Sequence, residues 1–349
     1  MSFTSVLLLP LTFLYGIGVR FRNYLFRIGY SRSFQYDIMV INVGNLAAGG
    51  TGKSPMLEYL VRLLHKKYAL ATLSRGYKRA TKGFRMADEY TGVREIGDEP
   101  YQFYLKFGMV ATISVGEERA LAIPKILLEH PETQVIIMDD AYQHRTVRAD
   151  FNILMTTYDQ PFYHDFLLPS GRLREPRRSA KRAQAIIISK CPESMSHEEK
   201  AKMVNRVKKY AGPTKQVFFT SVKYGQLKCL TGTISSDGPM VGFAGLADNR
   251  LFRDHIEQRH QVKDFIEYDD HHQYNDEEID MLVSLAKQHQ ANLITTEKDV
   301  VKFRNEYYIK RLGDVKLYYI PIMHRFHQNG NVFDALVQEA IDDKYLVEN

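Results

Sequence analysis

A glycine-rich segment that follows a short apolar run constrains this chain more than any other feature. The run Ile38-Met39-Val40-Ile41-Asn42-Val43 is followed by Gly49-Gly50-Thr51-Gly52-Lys53-Ser54. In a phosphate-binding loop, glycines let backbone N–H groups converge on phosphate oxygens, the lysine reaches the β- and γ-phosphates, and the serine hydroxyl ligates Mg²⁺. The segment therefore predicts a nucleoside triphosphate site at the end of a buried strand.

The loop departs from the strict pattern at two positions. Ala47 stands where the first glycine is expected, and Pro55 follows Ser54. A proline is tolerated in the first turn of a helix, where its missing N–H has no partner to lose. The alternative, an incidental glycine turn, is disfavoured because strand, loop and Lys-Ser pair coincide.

Apolar runs of strand length alternate with helical stretches along most of the chain, and the texture changes after Lys190. This alternation predicts an α/β fold: a P-loop NTPase-like parallel sheet flanked by helices, followed by a second, smaller α/β domain. The predicted division is residues 1–30, 31–222 and 223–349, with the last strand and helix free to return to the first domain. A length of 349 residues also favours more than one core.

The first 30 residues carry a pattern of their own. Leu7–Val19 is almost entirely apolar but shorter than the roughly 20 residues that span a bilayer. Arginines follow the apolar stretch instead of preceding it, which argues against a secretory signal. The pattern predicts a helix at the surface of an anionic membrane. The alternative is a terminal helix that packs on the protein's own core.

Composition excludes several classes of protein. The net charge of +6 is modest, and no RNA-binding aromatic motif or helicase-like repeat is present, so nucleic acid is not an expected partner. Cys191 and Cys229 form neither a disulfide framework nor a C-x-x-C metal pair. They fit a protein of the reducing cytosol.

Three acidic residues are candidates for phosphoryl-transfer chemistry. Asp139 and Asp140 end the apolar run Val135–Met138, where a carboxylate beside a phosphate loop holds Mg²⁺. The sequence does not distinguish which aspartate lies closer to the metal. Asp98, in Gly97-Asp98-Glu99-Pro100, is a candidate to orient an acceptor hydroxyl and take its proton, although a helix N-cap explains it equally well locally.

The order of several short motifs resembles the tetraacyldisaccharide 4′-kinase family. From about residue 38 to residue 303, the matching segments are Asn42–Leu46, Gly49–Pro55, Ser74-Arg75-Gly76-Tyr77, Gly97–Pro100, Asp139-Asp140-Ala141-Tyr142-Gln143-His144, Leu168–Pro176, Asp270-His271-His272 and Thr295–Asp299. Proline after the loop serine belongs to the family pattern. Ala141 and Tyr142 are departures from it, because the family reads Gly and Phe there.

The resemblance implies transfer of the ATP γ-phosphate to the 4′-hydroxyl of a tetraacylated glucosamine disaccharide 1-phosphate at the cytoplasmic face of the bacterial inner membrane. Lys53 and the loop residues Gly49, Gly50, Thr51, Gly52 and Ser54 would bind ATP, with Mg²⁺ held by Ser54, Asp139 and Asp140. The resemblance assigns Asp98 as general base and pairs it with His271, which would orient the carboxylate and raise its basicity. His272 remains an alternative to His271.

A basic segment and three further motifs supply candidates for the lipid substrate. Residues 171–182 contain Arg172, Arg174, Arg177, Arg178, Lys181 and Arg182 against Glu175. Beside a family motif, this run is interpreted as anion recognition, with Arg174 as the motif arginine. The remaining candidates for substrate contacts are Arg75, Tyr77, Arg119 and His144.

A membrane-docked regulatory P-loop NTPase with a protein partner is the alternative function. A guanine-specific switch protein normally carries N-K-x-D after a strand. Ser189-Lys190-Cys191-Pro192 and Thr296–Asp299 do not match that motif. The lipid kinase is therefore the favoured prediction.

Overall fold

The computed structural model describes residues 7–233 and 238–346. Residues 1–6 of the predicted N-terminal segment, and residues 234–237 and 347–349 of the predicted second domain, lie outside it. In chain order the elements up to residue 224 are α1 (Leu9–Arg27), β1 (Met39–Asn45), α2 (Lys53–Leu64), β2 (Leu70–Ser74), β3 (Arg85–Met86), α3 (Val93–Ile96), α4 (Asp98–Phe107), β4 (Ala111–Val115), α5 (Arg119–Glu129), β5 (Val135–Asp139), β6 (Phe151–Thr157), β7 (Ala185–Ser189), α6 (His197–Ala211) and β8 (Gln216–Tyr224).

The remaining elements begin with a second sheet and end in the first. They are β9 (Lys228–Cys229), β10 (Met240–Gly245), α7 (Arg250–Glu257), β11 (Val262–Tyr268), α8 (Asp276–Gln288), β12 (Asn292–Thr296), α9 (Glu297–Val300), α10 (Glu306–Leu312), β13 (Leu317–Ile320), β14 (Ile322–Phe326) and α11 (Gly330–Leu346).

The first sheet has nine strands in the order β14-β8-β7-β6-β1-β5-β2-β4-β3. The seven strands from β8 to β4 pair in parallel, and β14 and β3 pair antiparallel at the two edges. Parallel strands need crossover connections, which place helices on both faces. The predicted P-loop-type parallel sheet with flanking helices is confirmed.

The two faces of β1 show how the sequence builds this core. Met39, Ile41 and Val43 face the cluster formed with α2, α4 and α11, whereas Val40 faces the cluster formed with α5. Side chains alternate between the faces of a strand, so a strand buried on both faces is apolar at nearly every position. The exception is Asn42, which donates through Nδ2 to the Asn152 side-chain oxygen at 3.0 Å within the sheet.

The second sheet has five strands in the order β11-β10-β12-β13-β9. β10 to β13 pair in parallel, and β9 is antiparallel to β13. Helix α8 covers one face and α7 the other. The sequence predicts this smaller α/β unit from the same alternation of strands and helices.

The chain crosses between the sheets twice, at neighbouring positions. The Gly225 N–H donates to the Pro321 carbonyl at 2.8 Å, so the exit and the return lie side by side. After the return, β14 pairs with β8, and Phe333, Val337 and Ile341 of α11 enter the core of the first sheet. The three-part division at residues 30 and 222 stays a proposal, with β14 paired into the first sheet and α11 packed against it.

Helix α1 lies on the surface with one apolar side uncovered. Leu9, Phe13, Leu14, Ile17 and Phe21 are exposed, while Gly16 is buried against the protein. Within residues 7–233 and 238–346, no helix combines the length and hydropathy needed to cross a bilayer.

Candidate active site

The phosphate loop joins β1 to α2 at the carboxyl-terminal edge of the first sheet. Gly49 and Gly52 have φ angles of +120° and +82°, which only glycine adopts without strain. Asn45, the last residue of β1, donates through Nδ2 to the Gly49 carbonyl at 3.3 Å and to the Thr51 hydroxyl at 3.2 Å. Helix α2 begins at Lys53 and continues through Ser54, so its N-terminal donors lie next to the loop.

The loop residues differ in accessibility. Gly49 and Gly50 are exposed, Thr51 is buried, and Lys53 and Ser54 are partly buried. The Lys53 ammonium lies 3.7 Å from Oδ1 of Asp140, the nearer member of the acidic pair. The structure thus brings the predicted nucleotide-binding lysine and one of the predicted metal-binding acids together.

Asp139 and Asp140 lie at the end of β5, next to β1, but in opposite electrostatic surroundings. Burial and the nearby Glu99 carboxylate raise the pKa of Asp139 to about 7. Burial would also raise the pKa of Asp140, but Lys53 and the hydrogen-bonded Arg174 outweigh it and lower that pKa to about 2. The pair therefore combines one carboxylate whose ionisation is disfavoured with one that is held ionised.

Arg174 connects the acidic pair to the loop. Its guanidinium grips Asp140 through two hydrogen bonds, at 2.8 and 3.2 Å, and also donates to the Asn45 side chain. Its backbone N–H donates to the Leu46 carbonyl at 2.7 Å. The motif arginine therefore holds the site together in this structure, and a contact with substrate stays a prediction.

Asp98 and His271 bring the two sheets together. Asp98 is the first residue of α4 and directly follows Gly97, whose φ is +94°. The Asp98 residue is buried, with only 3% of its surface exposed. His271 lies in the turn after β11 and places Nδ1 2.9 and 3.1 Å from the two Asp98 oxygens. His271 itself has a φ of +59°, an uncommon backbone conformation outside glycine.

Two lysines complete the surroundings of Asp98. Lys298 Nζ lies 3.2 Å from His271 Nε2 and 2.7 Å from Asp270 Oδ1, and Lys302 Nζ lies 3.8 Å from Asp98 Oδ2. Burial alone would raise the pKa of Asp98, but the His271 hydrogen bond and the neighbouring charges outweigh it and lower the pKa to about 2. The expectation that His271 raises the basicity of Asp98 is therefore wrong, because His271 and both lysines stabilise the ionised carboxylate.

His272 points to a different partner. Its Nε2 lies 2.9 Å from both carboxylate oxygens of Glu278, and its ring stacks on Tyr268 at 4.5 Å. Glu278 also closes the capping box of α8 with Asn275. His272 thus contacts the residue that caps the N-terminus of α8, whereas His271 makes the contact with Asp98.

The Ser74–Tyr77 motif lies beside this dyad. The Tyr77 ring meets the His271 ring edge-on at 5.1 Å, and Lys78 donates to the Asp270 and His271 carbonyls at 3.4 and 3.3 Å. Arg75 is exposed. Tyr77 is therefore placed close to the dyad, and its contact with substrate stays a prediction.

Arg119 and His144 lie near the acidic pair. Arg119 is fully buried and donates to the carbonyls of Gly116, Glu117 and Asp139, and burial lowers its pKa to about 10. Burial, together with the charges of Arg119 and Arg75, lowers the pKa of the half-buried His144 to about 4. In this structure Arg119 braces the backbone of the acidic pair, while direct contacts of either residue with substrate stay predictions.

The basic segment at residues 171–182 is largely occupied by internal contacts. Arg172 pairs with Asp165 at 2.8 Å, and Arg182 pairs with the buried Glu175 at 2.8 Å. Arg177 donates to the Asp165 carbonyl at 2.8 Å. The cations of the segment left exposed are Arg178 and Lys181.

Several residues of the site were not assigned by sequence reasoning. Lys298 and Lys302 surround the dyad, and Glu99 lines one small cavity with Asp139 and Ser74. The signal for Lys298 was present, since it lies in the Thr295–Asp299 motif, and Glu99 lies in the Gly97–Pro100 motif. His324, which contacts the phosphate loop from β14, lies outside every motif.

Comparisons with known proteins identify the family of this chain. The family model described as tetraacyldisaccharide-1-P 4′-kinase (LpxK) matches residues 4–342. The tetraacyldisaccharide 4′-kinase of Flavobacterium johnsoniae is 38% identical over 349 residues, covering 98% of this chain and 99% of the relative. That of Porphyromonas gingivalis strain ATCC 33277 is 38% identical over 326 residues, covering 90% of each.

A solved structure is also similar. The crystal structure described as the "apo" form of LpxK from Aquifex aeolicus in complex with ATP is 26% identical, with a TM-score of 0.75. The match covers 97% of this chain and 99% of the crystallised one. Family model, relatives and solved structure agree over nearly the whole length, and the chain belongs to the tetraacyldisaccharide 4′-kinase family.

Proposed function

We propose that this protein is an ATP-dependent lipid kinase. It transfers the γ-phosphate of ATP to the 4′-hydroxyl of a tetraacylated glucosamine disaccharide 1-phosphate and so forms lipid IVA. The family membership supports this activity, as do the relatives named tetraacyldisaccharide 4′-kinase. The observation that carries it is the contact of the buried Asp98 with the half-buried His271, which joins the second sheet to the edge that holds the phosphate loop. No observation favours the regulatory NTPase.

ATP is the phosphoryl donor, in agreement with the ATP complex of the similar structure. Mg²⁺ is the proposed cofactor, and the residues present fit it. Asp139 Oδ1 is buried and has no hydrogen-bond partner among the described residues, so a hard oxygen ligand is available. Ser54 and Asp140 would complete the set with ATP phosphates and water. Mg²⁺ at such sites neutralises phosphate charge and typically needs only one or two carboxylates from the protein.

The residues around Asp98 suit a step in which positioning matters more than base strength. The 4′-oxygen forms a bond to the γ-phosphorus, the bond from that phosphorus to the β,γ-bridging oxygen breaks, and ADP leaves. Asp98 takes the proton of the hydroxyl. Because the transition state of phosphoryl transfer is loose, the proton leaves late and a weakly basic carboxylate suffices. Lys53 and the loop N–H groups stabilise charge on the phosphate oxygens.

Helix α1 supports a peripheral contact with the cytoplasmic face of the inner membrane. Its exposed apolar side would enter the boundary between headgroups and acyl chains, with Arg20 and Arg27 at headgroup level. The opposite side is fastened to the site loop: Tyr15 donates to the Arg174 carbonyl at 2.9 Å. A lipid carried in the membrane would thus meet the enzyme next to Arg174.

The experiment that tests the function uses γ-labelled ATP, Mg²⁺ and a detergent-dispersed tetraacylated disaccharide 1-phosphate, followed by chromatography of the lipid. Label on the lipid is expected with the full chain, and only background label with Asp98→Asn. Label that reached inorganic phosphate alone would overturn the proposal and favour an NTPase.

A further inference from the structure

Two side chains donate hydrogen bonds to backbone carbonyls of the phosphate loop. Ser189, the last residue of β7, donates through Oγ to the Thr51 carbonyl at 2.7 Å. His324, in the middle of β14, donates through Nε2 to the Gly52 carbonyl at 2.8 Å. The two acceptors are consecutive carbonyls of the loop, directly before Lys53.

Because the peptide group is planar, a hydrogen bond to a carbonyl also fixes the direction of the N–H group that follows it. In a trans peptide the C=O and the following N–H point in opposite directions within one plane. A donor that fixes the Thr51 carbonyl therefore aims the Gly52 N–H to the other side, and one that fixes the Gly52 carbonyl does the same for the Lys53 N–H. Those N–H groups face the side on which a phosphate is bound.

Burial and charge make His324 suited to this task. The side chain is buried, and burial lowers its pKa to about 4 even though the Gly52 carbonyl opposes the shift. The neutral ring carries one N–H, which the contact places on Nε2. It therefore adds a directed donor without adding a second positive charge next to Lys53.

The burial of His324 is energetically unfavourable at one atom, which indicates that the imidazole has a role at this position. Nδ1 of His324 is buried without a hydrogen-bond partner among the described residues. A buried polar atom without a partner is unfavourable, and an apolar side chain of similar shape would avoid the cost. The Gly52 backbone is also adapted to the ring, because a Cβ on Gly52 would lie 3.1 Å from His324 Nε2.

We propose that His324, together with Ser189, is a positioning residue for phosphate binding, which orients the Gly52 and Lys53 N–H groups toward the β- and γ-phosphates of ATP. The inference rests on the proposed use of ATP but not on the identity of the lipid acceptor. It assigns to β14, which follows the second sheet in the chain, a direct part in the nucleotide site.

Calorimetric titration of the full chain with ATP, ADP, AMP and adenosine tests the proposal. His324→Phe removes the donor and keeps a ring, whereas His324→Gln keeps an N–H at a similar distance. We expect roughly tenfold weaker binding of ATP and ADP in His324→Phe, with adenosine binding unchanged, and recovery to within about threefold in His324→Gln. Ser189→Ala should weaken ATP and ADP in the same selective way.

Two results would overturn the inference. One is unchanged ATP binding in both His324→Phe and Ser189→Ala. The other is an equal loss for adenosine and ATP, which would indicate general damage to the fold. Should His324→Phe fail to fold, the comparison of Ser189→Ala with the unaltered chain decides the matter. An unaltered chain that bound no ATP would instead refute the proposed kinase, and the inference with it.

Discussion

Lys298 places its ammonium nitrogen 3.2 Å from Nε2 of His271, while Nδ1 of the same ring lies 2.9 Å from Asp98. Burial alone would lower the pKa of Lys298, but Glu99, Asp98 and Asp270 outweigh it and raise the pKa, so the side chain stays charged. An ammonium group has donors only, so Nε2 must accept. The ring proton of His271 is thereby assigned to Nδ1, where it faces the carboxylate.

Replacement of this lysine should disturb catalysis without removing a reacting group. In Lys298→Met nothing forces Nε2 to accept, and we expect kcat to fall roughly 10- to 100-fold because Asp98 is less well oriented. Lys298→Arg keeps a donor-only cation and should retain most of the turnover. Nitrogen NMR of the imidazole gives an independent readout: the N–H should lie on Nδ1, facing Asp98, and the Nε2 signal should shift in Lys298→Met because Nε2 loses the ammonium donor. An unchanged kcat in Lys298→Met would contradict the assignment.

Asp98→Asn should lower kcat by about 10²- to 10⁴-fold, while ATP affinity stays close to normal, because the proposed base acts on the acceptor hydroxyl. Steady-state kinetics and ATP titration separate the two effects. Turnover near the normal value would exclude Asp98 as the base.

The same substitution carries a prediction for stability. The folded-state pKa of Asp98, about 2, lies below its ordinary value of 3.8. The stabilisation from this shift is therefore fully present above about pH 4 and is lost as the pH falls through about 2. Its size is about 2 kcal/mol at pH 7, and Asp98→Asn should lose that amount. Thermal unfolding between pH 2 and pH 7 measures it, and the difference between the proteins should vanish at the acid end.

Asp139→Asn should act in the opposite direction on stability. The folded-state pKa of Asp139, about 7, lies above its ordinary value of 3.8, so ionisation costs more in the folded protein and stability is lost as the pH rises through about 7. Without Mg²⁺ or nucleotide, the variant should be more stable at pH 8 by on the order of 4 kcal/mol, with little difference near pH 4. Turnover with Mg²⁺ should be severely reduced.

Calorimetric unfolding at the two pH values tests this expectation. Asp314→Asn, at an exposed position, is the matched control and should leave the midpoint unchanged. A lower unfolding temperature for Asp139→Asn at pH 8 would contradict this expectation. It would show that the ionised carboxylate stabilises the enzyme even without a bound cation.

The apolar side of α1 should govern membrane binding. The double variant Phe13→Ser with Ile17→Ser removes two exposed apolar side chains and should lower partitioning onto anionic vesicles about tenfold or more. Leu121→Ser with Leu128→Ser, on the exposed side of α5, removes comparable surface elsewhere and should have no effect. Vesicle sedimentation measures both, and equal partitioning of the two variants would remove α1 as the membrane contact.

Local sequence predicted the parts of this protein that are local in the chain. Central strands of the first sheet such as β1, β5 and β7 are buried on both faces and are therefore recognisable as short apolar runs, and the phosphate loop follows β1 within a few residues. Asp139 and Asp140 are readable for the same reason, because parallel strands end at one edge of a sheet.

Contacts between residues that are distant in the chain could not be predicted from local sequence. His271 and His272 are chemically identical neighbours, and only the backbone turn at His271 and the capping role of Glu278 separate them. His324 contacts a glycine 272 positions away in the sequence. The pKa of Asp98 depends on two lysines brought in by another sheet, so its direction follows from tertiary packing and not from the Gly97–Pro100 motif.

The return of β14 and α11 to the first sheet has a consequence for the time at which the enzyme matures. Domains generally fold as units as the polypeptide emerges from the ribosome, amino-terminal parts first. Here the edge strand that supports the nucleotide loop is translated only after the whole second sheet. A nascent chain that ended before residue 322 would carry every glycine of the loop yet lack His324, so the kinase acquires its complete nucleotide site only in the last stage of synthesis.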